Sequence, residues 1–134
     1  MKRCSWPIEK LPGLPLAAQQ QLQQIGIVTT GDLIRRGQTP LARLALAREL
    51  NSHPQYLNKW TALARLAALP SVGLTYCGLL LHAGISSPEQ LAQFPINQLH
   101  QQLQRLQIKL LSQATNGPDT ALISQWIREA RTQA

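Results

Sequence analysis

The chain repeats a short pattern at a fixed separation, and this repeat limits the possible folds more than any other feature. Leu11-Pro12-Gly13-Leu14 and Leu69-Pro70-Ser71-Val72 lie 58 residues apart. Ile25-Gly26-Ile27 and Ala83-Gly84-Ile85 keep the same separation. In each copy a tight turn precedes a short apolar segment of helical character, and a glycine follows where that helix should end. This pattern is typical of a duplicated binding module rather than of an enzyme.

A second similarity extends the repeat toward its end. Trp60 and Trp126 recur with the same Ala-Arg pair downstream, but 66 residues apart, so the second copy should contain eight additional residues. We place these near residues 108–116 and predict two units, residues 1–66 and 67–134. Each tryptophan is expected to anchor a core, because an indole buries a large area. A stacking platform for nucleic-acid bases is the alternative interpretation.

Helix boundaries are marked throughout the chain by capping residues, proline and glycine. Thr39-Pro40 and Ser87-Pro88 are typical helix starts, and Asn116-Gly117-Pro118-Asp119 is a strong turn signal. No segment alternates apolar and polar residues for long enough to predict a strand. The predicted fold class is therefore all-α, with the two units packed as one compact helical domain.

Composition indicates the kind of partner and compartment. Lysine and arginine outnumber aspartate and glutamate by 13 to 6, a net charge of +7, which favours nucleic acid, anionic lipid or an acidic protein surface. No run approaches the roughly 20 apolar residues of a membrane span, so we expect none. Met1-Lys2-Arg3 is not followed by an apolar signal core. The two cysteines fit a reducing compartment, and we predict a cytoplasmic protein.

The sequence does not predict catalysis. Its six carboxylates form no pair at the i, i+3 or i, i+4 helical spacing, and no phosphate loop or dinucleotide fingerprint occurs. The histidines His53, His82 and His100 stand apart from any nucleophile motif. Cys77 and His82 are five residues apart without a second pair, which is not a metal-ligand pattern. We therefore expect no enzymatic activity, no cofactor and no metal.

The first copy resembles the helix-hairpin-helix superfamily. The resemblance rests on Leu11 to Leu14, on Ile25 to Ile27, and on Thr29-Thr30 with Asp32-Leu33. The complete layout resembles a duplicated family of unknown function within that superfamily, which is often seen in photosynthetic bacteria. The resemblance implies hairpins whose peptide N–H groups hold a DNA phosphate without reading sequence. The hairpin turns would be centred on Pro12, Gly13, Pro70 and Gly73.

The hairpins depart from the superfamily pattern of two glycines one residue apart. Pro15 stands at the second glycine position of copy one and removes an N–H donor, and Ser71 stands at the first glycine position of copy two. The superfamily's basic residue in the following helix is also missing, and Gln19, Gln20 and Gln21 lie in that stretch. These departures put phosphate binding by the hairpins in doubt.

Two binding functions are therefore considered. The first is weak, sequence-independent binding of the nucleic-acid backbone, and the alternative is a protein–protein adaptor or assembly factor that uses the helical surface. The alternative draws on the altered hairpins and on an apolar stripe at Leu99, Leu103, Leu106 and Leu110. The candidate nucleic-acid contacts are the basic residues outside the hairpins: Arg35, Arg36, Arg43, Lys59, Arg65, Arg105, Lys109, Arg128 and Arg131.

Overall fold

The computed structural model describes residues 4–111 and 119–133, and their side chains except those of residues 107–111 and 133. A short 3₁₀ helix, Ile8–Lys10, comes first. Eight α-helices follow in the described part: α1 (Leu16–Gln24), α2 (Thr30–Arg36), α3 (Pro40–Glu49), α4 (Pro54–Ala67), α5 (Gly73–His82), α6 (Pro88–Ala92), α7 (Ile96–Leu111) and α8 (Thr120–Gln133). The only pairing of extended backbone among these residues is an isolated bridge between Pro7 and Thr29. The predicted all-α fold class is confirmed.

The helices pack in the same order in both halves of the chain. In the first half α2 and α3 pack against α4, and in the second half α6 and α7 pack against α8. The contact between α4 and α5 joins the halves. One continuous core of buried apolar side chains extends from Ile8 to Ala130. The chain therefore folds as one compact helical domain.

The glycines that end α1 and α5 have nearly the same geometry. Gly26 has φ 89° and Gly84 has φ 93°, values that favour glycine because a side chain would be strained there. The amide of Ile27 donates to the carbonyl of Leu22, and the amide of Ile85 donates to that of Leu80. The predicted glycine ends of these helices are thus found in the structure.

Helix starts also agree with the capping residues read from the sequence. Thr29 and Asp32 form a reciprocal capping box at the start of α2, where each side chain accepts a hydrogen bond from the other residue's amide. The Ser87 side chain caps α6 by accepting from the Gln90 amide. The Asp119 carboxylate accepts from the Leu122 amide at the start of α8. These contacts satisfy amides that a helix start otherwise leaves unpaired.

The N-terminal segment ties the first helix turn to the middle of the chain. The Trp6 indole N–H donates to the carbonyl of Ala67 over 2.8 Å, and the Cys4 amide donates to that of Ala68 over 2.8 Å. The Trp6 and Thr30 amides also bond to each other's residue. The segment therefore connects the end of α4 with the start of α2.

Two expectations concern the region near residue 110. Helix α7 ends at Leu111, four residues beyond the predicted Gln107, because no glycine or proline occurs before that point. The turn predicted at Asn116-Gly117-Pro118-Asp119 and most of the eight-residue insertion lie outside the described residues. Within the described part, the structure contains no helix with the length and apolarity to cross a membrane.

The capping box at α2 generates a stability prediction. Replacing Thr29 with alanine removes the acceptor for the Asp32 amide and should lower the free energy of unfolding by about 1 kcal/mol, measured by urea denaturation. Thr132→Ala is the control, because Thr132 is exposed near the end of α8. Equal losses in the two variants would contradict the capping assignment.

Candidate functional site

The second hairpin, residues 69–73, already holds a carboxylate. Glu129 on α8 is 2% exposed, and its two oxygens accept hydrogen bonds from the Ser71 amide (2.8 Å) and the Ser71 hydroxyl (2.5 Å). The Gln125 side chain donates a third bond, over 2.8 Å. The carboxylate is well satisfied, as a buried charge must be. The hairpin N–H that the superfamily resemblance assigns to a phosphate is therefore bonded within the protein.

The first hairpin, residues 11–15, has an apolar residue at the corresponding place. A Cβ built on Gly13 would lie 3.9 Å from Leu63 Cδ1, and Leu63 is buried on α4. Gly13 and Ser71 differ in position by 58 residues, and Leu63 and Glu129 by 66. The same two separations that relate the sequence copies thus relate these two contacts. The first hairpin contacts a leucine where the second hydrogen-bonds to a glutamate.

Three of the predicted nucleic-acid contacts form ion pairs with carboxylates. Arg35 pairs with Asp32, Arg36 with Glu49 at 3.0 Å, and Arg65 with Glu89. The Val28 amide holds the pKa of Asp32 below its usual value despite some desolvation, and the Thr29 and Arg35 side chains add to the effect. Partial burial opposes ionisation of Glu89, but its own amide and Arg65 outweigh this and lower its pKa. Both carboxylates are thus ionised at neutral pH.

The remaining predicted contacts are scattered over the surface. Arg43 donates to the Asn58 side chain and the Gly37 carbonyl, Arg128 to the Gln125 side chain, and Arg131 to the Ala92 carbonyl. Lys59 and Arg105 are exposed, and the side chain of Lys109 lies outside the described residues. The structure brings only Arg43 and Arg65 of the nine to a common cleft. It also places the buried Glu129 at a hairpin, which sequence reasoning missed; its match with the apolar Leu63 was the available signal.

A mostly apolar groove lies beside Trp60 in the first half. It has a volume of about 300 Å³ and lies between α1, α4 and the segment before α4. Tyr56 stacks on Trp60 with ring centres 6.0 Å apart, and Tyr56 is 49% exposed. The groove is lined by Pro15, Ala17, Ala18, Gln21, Ser52, Tyr56 and Trp60.

The corresponding place in the second half holds an aromatic ring. Tyr76, which corresponds to Ala18 at the 58-residue separation, packs against Trp126 with ring centres 5.0 Å apart. The Trp126 indole donates to the Ser71 carbonyl over 3.0 Å. Trp60 and Trp126 are 4% and 0% exposed, so both belong to the core, as the first interpretation of these residues predicts. The first half therefore has an open groove where the second has a tyrosine.

Side chains with potential redox or metal chemistry are dispersed. Burial raises the pKa of the Cys77 thiol to about 11, so the thiol is protonated and unreactive at neutral pH. The stripe of α7 contributes Leu99 and Leu103 to the core, while Leu110 falls outside the described side chains. Among the described residues, no three His, Cys, Asp or Glu side chains are close enough to form a metal site.

The chain belongs to a family defined as a domain of unknown function, DUF4332, whose model matches residues 12–133. The match covers both halves of the chain, from the first hairpin to the end of α8. No curated protein and no solved structure matches the chain. The family assignment agrees with the expected resemblance to a family of unknown function.

The buried carboxylate generates a second stability prediction. Glu129→Leu leaves the Ser71 hydroxyl and amide without their acceptor and should lower the free energy of unfolding by about 2 kcal/mol in urea denaturation. The double variant Ser71→Gly, Glu129→Leu reproduces the Gly13–Leu63 pair of the first hairpin and should recover at least half of the loss. A double variant no more stable than Glu129→Leu alone would show that the two contacts are not equivalent.

Proposed function

We propose that this DUF4332 domain is a non-catalytic protein–protein adaptor that binds an exposed aromatic side chain of a partner protein in the groove beside Trp60. The observation that carries the proposal is the difference between the two halves. Ala18 lines the groove in the first half, whereas Tyr76 fills the corresponding place against Trp126 in the second. The fold thus provides, within the same chain, an example of the ring that such a groove accepts.

The lining of the groove suits an aromatic side chain. Its surface is mostly apolar, and Tyr56 and Trp60 supply ring surfaces. Aromatic pairs contribute roughly 0.5–1.5 kcal/mol beyond the area they bury. Binding hot spots are rich in tyrosine and tryptophan that fill well-packed pockets. Leu16, 67% exposed and next to the groove residues in sequence, adds apolar surface on α1.

The electrostatic arrangement gives less support to nucleic acid as the main ligand. The Ser71 amide is bonded to Glu129, so the second hairpin lacks a donor that a phosphate would need. Arg35, Arg36 and Arg65 are paired with carboxylates. The basic residues do not line one hairpin-centred face, and a protein ligand requires no such face.

Nucleic-acid backbone binding stays a second candidate because of the net charge of +7. Lys59 and Arg105 are exposed, and the ion pairs of Arg35 and Arg36 lie at the surface, where such pairs contribute roughly 0–1 kcal/mol. A phosphate could therefore replace a carboxylate partner at little cost. Such binding would be weak, independent of sequence and strongly dependent on salt.

The finer description of the fold is also a proposal. We interpret residues 1–66 and 67–134 as two helix-hairpin-helix units, with Leu11 superposing on Leu69 and Gly26 on Gly84. The matched helix ends and the matched hairpin contacts support this interpretation. A cytoplasmic location is proposed on the buried thiol of Cys77, which needs no disulfide partner.

Filling the groove tests the adaptor proposal. We expect p-cresol, the side-chain analogue of tyrosine, to shift the Trp60 indole N–H resonance in a saturable way. Ala18→Tyr should abolish this binding, because its own ring would occupy the groove as Tyr76 does. Ala45→Tyr is the matched control, since Ala45 is exposed on α3 and does not line the groove. Tyr56→Ala should weaken binding several-fold without filling the groove.

Equal p-cresol binding by the wild type and Ala18→Tyr would contradict the proposed groove. For the biological ligand, the same pair of variants serves in affinity capture from native lysate with nuclease present. The partner should be retained by Ala45→Tyr and lost from Ala18→Tyr. Loss of the captured protein on nuclease treatment would favour the nucleic-acid candidate instead.

A salt titration tests the nucleic-acid candidate. If the protein contacts the backbone, its affinity for mixed-sequence duplex and for single strands should be micromolar or weaker, on the order expected for non-specific binding, and should fall steeply with added salt. Replacing Arg35 and Arg36 with alanine should flatten the salt slope by roughly one unit for each phosphate that is no longer neutralised. No salt-dependent binding even at low ionic strength would eliminate this candidate.

A further inference from the structure

We propose that the cleft between Arg43 and Arg65 binds a phosphate group, supplied by free phosphate or by a small phosphorylated molecule. This cleft, here called the Arg43–Arg65 cleft, has a volume of about 240 Å³ and lies between α3, α4 and the loop before α6. Asn58, Thr61, Ser86 and Ser87 complete its polar lining. It is separate from both hairpins and from the groove beside Trp60.

The guanidinium of Arg43 is held in place by the protein. Its Nε donates to Asn58 Oδ1 over 2.7 Å, and one terminal nitrogen donates to the Gly37 carbonyl over 2.8 Å. Because a guanidinium has five N–H donors, these two bonds leave donors for a ligand. A fixed planar fork suits the paired oxygens of a phosphate and loses little side-chain entropy on binding.

Arg65 supplies the second cation from the neighbouring face of α4. It pairs with Glu89, but their side chains are 37% and 50% exposed, so solvent screens the pair and the carboxylate can be displaced. The cleft and its rim carry two guanidiniums and one carboxylate, which leaves a net positive charge for an anion. Binding thus amounts to exchange of a half-exposed carboxylate for a phosphate.

The floor of the cleft contains a polar atom that the protein leaves without a partner. Thr61 is 3% exposed, and its hydroxyl makes no hydrogen bond to any described residue. A Cβ on Gly37 would lie 3.0 Å from this oxygen and 3.2 Å from Arg43 Cγ, so the hydroxyl lies beside the Arg43 stem. Buried hydroxyls of this kind are uncommon and destabilising, which is expected where a ligand or its bound water provides the partner.

The test is a titration with inorganic phosphate at constant ionic strength, followed by the Arg43 and Arg65 side-chain N–H resonances. We expect saturable shifts that chloride does not produce. Arg43→Gln and Arg65→Gln should each weaken binding at least five-fold. Arg48→Gln is the matched control, because Arg48 is exposed on the same helix as Arg43 and its loss changes the net charge equally. Equal weakening by all three variants would reduce the effect to net charge and overturn the site.

Thr61→Val separates the role of the floor from that of charge. The variant keeps the shape of the side chain, so it should raise Tm by about 2 °C without phosphate, since a desolvated hydroxyl is removed. It should also weaken phosphate binding several-fold, and unchanged binding would overturn the floor contact. An unphosphorylated oligothymidine distinguishes the sources, because it carries phosphodiesters only. Binding of the oligonucleotide without saturable binding of inorganic phosphate would refute the discrete site.

Discussion

The packing of α4 against helices on several sides is the constraint on which the rest of the structure depends. Eight of its fourteen residues are buried, and α2, α3 and α5 all pack against it. Fully burying a leucine contributes roughly 1.5–3 kcal/mol, so a helix with this many buried residues organises whatever contacts it. The Trp6 indole bonds to its last carbonyl at Ala67. The groove and the cleft both lie along this helix, on opposite sides of its buried face, and Trp60 and Thr61 are consecutive residues that line one each.

The helix boundaries could be predicted from the sequence because they depend on local chemistry. Thr29, Thr39 and Ser87 cap the helices that the sequence assigns to them, and Gly26 and Gly84 end helices with the expected left-handed backbone. Each of these effects involves residues within one turn of each other. The end of α7 was missed because its last turn contains no local stop signal.

The candidate sites could not be predicted in the same way, because they depend on contacts between distant residues. Ser71 bonds to Glu129 across 58 positions, and the sequence identified Ser71 only as a missing glycine. Arg43 and Arg65 meet in one cleft because α3 and α4 pack side by side, whereas the other predicted contacts are dispersed. Helical periodicity indicates which face of a helix is apolar, but it does not indicate which helix covers that face.

The two halves of the domain keep the same backbone while differing in the residues that meet at equivalent places. Leu63 corresponds to Glu129, and Ala18 to Tyr76. In the second half both differences fill space or satisfy donors internally: the glutamate takes the hairpin amide, and the tyrosine packs on the tryptophan. In the first half the hairpin carries no such carboxylate and the place beside Trp60 is open. A fold whose second half completes its own contacts holds the first half rigidly without requiring every surface there to be closed. That division explains how a small domain can keep a continuous core and still present a preformed binding surface on one side only.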